Sequence, residues 1–256
     1  MSTITALGLV LMILMVLIGG KQGWIAFWSL ILNFGFLFGA IVLIAFHVPP
    51  LLVTLTAGII ILAITIFMGE DDLQTTVAVF FASVVVMILL LILIIVVEYW
   101  AQAQGFGIED SDDLEGMSLL IGTSFLSIAI TTAVLSTLGA IAEAAMAITA
   151  GLAEILNRHP ETPDQQLVKS GMQIGHQIIV TTLNTLFFGF FGGLLALFVW
   201  FAGLDYSLGT IMNNKIFVLE MIAVLISFLA VIITVPVATW TMVWRHRHHP
   251  VSKKEV

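Results

Sequence analysis

Residues 75–97 read TTVAVFFASVVVMILLLILIIVV, a run without one charged side chain. As a helix it rises about 35 Å, enough to cross the ~30 Å hydrocarbon core of a bilayer. Valine, isoleucine and leucine occur on every face, so no polar stripe is left for water. Apolar runs of the same kind lie on both sides of it. They predict seven spans, at Thr3–Ile18, Trp24–Phe46, Leu51–Met68, Thr75–Val97, Ser118–Leu138, Gly171–Trp200 and Ile216–Trp244. Thr3–Ile18 reads as a retained span, because no basic residue precedes it and no Ala-x-Ala site follows. The expected fold is all-α, a polytopic transmembrane helical bundle forming one domain over residues 1–249. A short basic tail follows over 250–256.

Composition agrees with that reading. The chain is 60% hydrophobic and 9% charged, against roughly a quarter charged in a soluble domain. With a mean hydropathy of +1.16 it has too little polar surface to clothe a globule in water. The lipid bilayer is therefore its first partner. A net charge of −8 argues against nucleic acid, and the lack of cysteine removes disulfides, thiolate metal sites and cysteine nucleophiles.

Turns between the first spans are short. Gly19-Gly20-Lys21-Gln22-Gly23 joins the first two, Pro49-Pro50 cannot continue a helix, and Glu70-Asp71-Asp72 is too polar for lipid. An N-terminus outside puts Lys21, Arg158, Lys169, Arg245, Arg247, Lys253 and Lys254 inside and only Lys215 outside. The positive-inside rule thus predicts an inner (cytoplasmic) membrane protein with its N-terminus outside and its C-terminus cytoplasmic. All six tryptophans fall near predicted span ends, where an indole favours the interface.

Residues 139–158 are harder to place. They follow a full span without a turn signal and could themselves form twenty residues of helix. Glu143 and Glu154 are eleven residues apart, so they share a helical face, with Ala140, Ala144, Ala147 and Gly151 as a smooth stripe beside them. An amphipathic helix on the inner surface, a re-entrant helix and a continuation of the fifth span all remain open.

The stretch Leu138-Gly139-Ala140-Ile141-Ala142-Glu143-Ala144-Ala145 resembles the YibE/F-like family of bacterial membrane proteins. So does Gly171-Met172-Gln173-Ile174-Gly175-His176-Gln177, followed by Asn184-Thr185-Leu186. Glu143 stands where that family usually has Asp, which keeps the carboxylate. Gln177 replaces a common acid and Val180 a common glycine. The resemblance implies a permease-like protein, one of two related chains, the other bearing a large extracytoplasmic domain. A hetero-oligomer with that relative, or a self-oligomer, is the implied partnership.

Candidate residues follow from polarity inside apolar runs. A carboxylate at bilayer depth normally faces a cavity or a partner, so Glu143 heads a substrate pathway. Asn184 joins it, with Gln173, His176 and Gln177 toward the inner mouth. The plainer alternatives are a solvated Glu143 at the interface and an Asn184 that only bonds a neighbouring helix. Gly35, Gly39, Gly139, Gly171, Gly175, Gly189 and Gly193 are candidates for close helix packing. Thr123, Ser124, Ser127, Thr131, Thr132, Ser136 and Thr137 give the fifth span hydroxyls that either line a path or bond back to their own helix. His246, His248 and His249 read as part of a charged anchor, and the acidic loop Glu109–Glu115 as solvated. No metal or cofactor is expected. No phosphate loop, HExxH or GxSxG occurs, so no enzyme is expected either. The expected function is a membrane-embedded subunit of a transporter or export complex; the alternative is a non-transporting structural or signalling partner.

Overall fold

A computed structural model of the chain describes residues 3–69, 73–105 and 124–248. Eight helices form among them: α1 Thr3–Ala45, α2 Pro50–Gly69, α3 Leu73–Ala101, α4 Phe125–Arg158, α5 Asp164–Gly193, α6 Leu195–Gly203, α7 Leu208–Met212 and α8 Lys215–His248. The Glu109–Glu115 loop, Glu70-Asp71-Asp72, residues 118–123 and the tail from 249 onward lie outside the described residues.

Two passes are contained in α1. Gly20, at φ +55° and ψ −129°, takes the first central position of a type II′ turn, which a β-carbon makes costly. Gly23 lies against the backbone of Met15: a β-carbon on it would stand 1.8 Å from the Met15 carbonyl oxygen. In an unbroken helix two residues eight apart are separated by about 12 Å. The chain therefore folds back at Gly20, in the turn expected there. The Gln22 amide ties this turn to the end of α2, donating to the carbonyls of Met68 and Gly69 at 3.3 and 3.2 Å. Among the described residues six helices are long and apolar enough to cross a membrane. Counting the arms of α1 separately gives the seven expected spans.

The core lies where α3, α4 and α8 meet, with α2 and α5 flanking them. Leu62, Met87, Leu90, Ile94, Ile141 and Ile148 are fully enclosed there. Small residues let the helices approach, and exposed leucine, isoleucine and phenylalanine cover the outside. That inverted dress suits lipid, which solvates apolar side chains that water would not. The first arm of α1 is almost wholly outward-facing, with Leu17 and Ile18 both exposed.

Residues 139–158 prove to be neither a re-entrant nor a separate amphipathic helix. They continue the fifth span, because α4 runs unbroken for 34 residues, about 51 Å. The alanine-rich stretch 140–147 favours helix, and no proline or left-handed glycine ends it. Leu152 and Leu156 bury in the core beside Leu167 of α5, which holds the extension in place.

The sixth span also differs from the expected Gly171–Trp200. It begins earlier, at Asp164, and breaks at Leu194, so α6 is a separate helix. The Gly192-Gly193 pair weakens the helix there. Phe190, Phe201 and Phe217 then pack together and hold the bend.

Gly69 marks a boundary of the apolar zone, since three acidic residues follow it. It stands beside Met146: a β-carbon on it would lie 3.4 Å from the methionine sulfur. α4 runs twelve residues further, to Arg158, about 18 Å past that level. The start of α5 and the end of α8 accompany it. Here Arg158 pairs with Glu154 at 2.6 Å and Arg247 pairs with Asp164.

Candidate functional site

Gly151 of α4 faces Ile174 of α5, where a β-carbon would come within 2.8 Å of the isoleucine Cδ1. The two helices are antiparallel neighbours, so this contact fixes their relative heights. Position 143 comes level with 182. Asn184 is therefore within two residues, about 3 Å, of the height of Glu143. By the same register Gln173, His176 and Gln177 stand level with residues 148–152, toward the Arg158 end.

All five side chains are exposed on the surface of the chain. Glu143 sits three residues, about 5 Å, on the apolar side of Met146. Asn184 uses its amide hydrogens locally, donating to the Val180 carbonyl at 2.8 Å, which leaves its amide oxygen for another donor. Beside Glu143, Ala140 and Ala144 are buried against Ile178, Ile179, Leu183 and Leu186 of α5 and Val231 of α8. Ala140, Ala144 and Gly151 of the smooth stripe thus form a helix seam, whereas Ala147 is exposed, and the carboxylate stands at the edge of that seam. The polar groups form a series that enters the apolar zone by about one and a half turns, the depth of Asn184.

The candidate glycines fall into two groups. A β-carbon on Gly171 would lie 2.6 Å from Thr239, and one on Gly175 would lie 2.2 Å from Val235 Cγ1. These two glycines let α5 touch α8. Gly35, Gly39, Gly139, Gly189 and Gly193 have open space beside them, so within this chain they hold no seam.

Three hydroxyls of the fifth span turn back on their own helix. Thr131, Ser136 and Thr137 donate to the carbonyls of Ser127, Ala133 and Val134. Ser124 caps α4, accepting from the Ser127 amide. Thr131 additionally meets Thr54 of α2, with their oxygens 2.7 Å apart in a fully buried position.

A second polar site lies at the other end and was not anticipated. After α3, Gln102 and Gly105 both take positive φ, which carries the chain across the end of the bundle. Gln104 then lines a cavity of about 290 Å³ with Glu98, Thr132 and Glu220. Glu98 is only 1% exposed. Its Oε2 and the Gln104 Oε1 are both buried without a hydrogen-bond partner among the described residues. In the sequence Glu98 closes an apolar run and looks like the start of a loop. Glu220 is 122 positions later, and nothing short of the packing joins them.

Long apolar helices, lipid-suited surfaces and polar side chains kept to a few places define a multi-pass α-helical membrane protein. Within that class the chain belongs to the YibE/F-like protein family, whose pattern matches residues 7–248. No curated protein and no solved structure matches it.

Proposed function

We propose that this chain is a membrane-embedded subunit of a transporter or export complex in the bacterial inner membrane. Its N-terminus is outside, its C-terminus is cytoplasmic, and it is paired with a related, larger membrane protein. The observation that carries the reading is the placement of Glu143 and Asn184. They stand at one height, on neighbouring helices, about 5 Å or more inside the apolar boundary, and the chain itself does not cover them. A carboxylate facing hydrocarbon costs about 2.5–3.5 kcal/mol at the bilayer centre and less near the edge where Glu143 stands, and either cost favours a partner surface or a water-filled path. Gln173, His176 and Gln177 supply polar contacts between this pair and the inner aqueous side. In this reading Glu143 carries a proton or cation, and Asn184 orients the solute.

The glycines with open space beside them favour the second reading, a structural or signalling partner that does not itself transport. On an outer face, Gly35, Gly39, Gly139, Gly189 and Gly193 permit a second chain to approach closely. Mild-detergent purification from the native membrane tests the pairing that both readings share. A related membrane protein at fixed stoichiometry is expected; a monomer purifying alone would contradict both. The two readings part at Glu143→Gln. Transport by the isolated pair in liposomes is lost on the first reading, and no transport is found with either form on the second.

A further inference from the structure

The cavity at the Lys215 end combines features that neither the proposed pathway nor the packing of the bundle uses. Glu98 is enclosed on the last turns of α3, and Glu220 enters the same cavity from the start of α8. Gln104 adds an amide oxygen and Thr132 a hydroxyl. Two of these oxygens, Glu98 Oε2 and Gln104 Oε1, are buried and unpartnered among the described residues. An enclosed carboxylate oxygen without a donor is costly. Lys215, exposed at the start of α8, donates to the Gln104 carbonyl at 3.2 Å and forms no ion pair with Glu98. It relieves the backbone and leaves the carboxylate unanswered.

We propose that Glu98, Glu220 and Gln104 form a binding site for a divalent cation of the hard, oxygen-seeking class. The donor set is all oxygen, with no imidazole or thiolate among the lining residues, which suits Mg²⁺, Ca²⁺ or Mn²⁺ rather than zinc or copper. Two carboxylates balance a double positive charge. The cavity is much larger than a bare ion, and at about 30 Å³ per water it admits a partly hydrated one. Ca²⁺ takes six to eight oxygens, so water completes a shell that the protein begins. A bound cation would join α3 to α8 and hold down the 102–105 crossing. The site stands at the end of the bundle opposite Arg158, and its existence does not depend on transport.

The test is Mn²⁺ binding to the purified full-length protein in nanodiscs, read by loss of the free-ion electron paramagnetic resonance signal. One saturable site per chain, competed by Ca²⁺ or Mg²⁺, is expected. Glu98→Gln and Glu220→Gln should each weaken it at least tenfold. Glu154→Gln, at the opposite end, should leave it unchanged. Should Glu98→Gln fold poorly, Glu220→Gln still decides the matter, because its side chain is exposed: Mn²⁺ should raise the melting temperature of the wild type and not of that variant. Absence of saturable binding overturns the proposal. So does a site that survives both substitutions and is lost only when the acids at 109–115 are neutralised.

Discussion

Gly175 of α5 and Val235 of α8 meet so closely that a β-carbon on the glycine would stand 2.2 Å from Val235 Cγ1 and 3.1 Å from its Cβ. The obstructing atoms belong to a buried, β-branched side chain with little freedom to swing away. Gly175→Val should therefore force the seam apart, at about 1–3 kcal/mol of overpacking. Gly189→Ala, with open space beside it, should leave stability within about 0.5 kcal/mol. Thermal unfolding of the two purified variants in detergent checks the contrast.

Gly20 carries the reversal of α1. Its φ of +55° with ψ of −129° is a conformation that a side chain makes costly, so Gly20→Ala should destabilise by about 1–3 kcal/mol. Gly19→Ala, one position earlier and unobstructed, should be tolerated. Protease protection of a tag at the N-terminus reports the consequence. Loss of the fold-back should move the tag across the membrane in the Gly20 variant alone.

Thr54 and Thr131 share a buried hydrogen bond between α2 and α4. Each hydroxyl has one hydrogen and a carbonyl of its own helix in reach, Pro50 for Thr54 at 2.7 Å and Ser127 for Thr131 at 2.8 Å, so one of the two gives up that bond to donate across the helices. Interhelical pairs of this kind average about 0.6 kcal/mol and reach about 1.7. Thr54→Val and Thr131→Val should each lower stability by that order. The double variant should cost less than their sum, as a double-mutant cycle measures.

Length and hydropathy were enough to read the spans, because lipid imposes one rule on every residue of a crossing helix. The turn at Gly20 was equally legible, since a glycine cluster followed by Lys21 interrupts an apolar run. Less visible was the continuity of α4 through Gly139, where helix propensity carried the chain past the expected end of the span. The bend at Leu194 was hidden too, because it rests on contacts among Phe190, Phe201 and Phe217 more than on a local stop signal. Glu143 and Asn184 could be picked out singly as polar residues in apolar surroundings. Their common height depends on the register of α4 against α5, which Gly151 and Ile174 set. Glu98 escaped notice because a carboxylate at the end of a span is ordinary until the fold buries it.

Water access to Glu143 bears most directly on the transport reading. The natural chain has no cysteine, so single substitutions can be probed without background. In vesicles that expose the Arg158 end, Glu143→Cys and Asn184→Cys should react with a membrane-impermeant maleimide. Phe188→Cys, 70% exposed and about a turn deeper, should not, because lipid covers it. Reaction at the first two and silence at the third is the predicted result. If Glu143→Cys is as silent as Phe188→Cys, no aqueous path reaches the carboxylate and the transport reading is wrong.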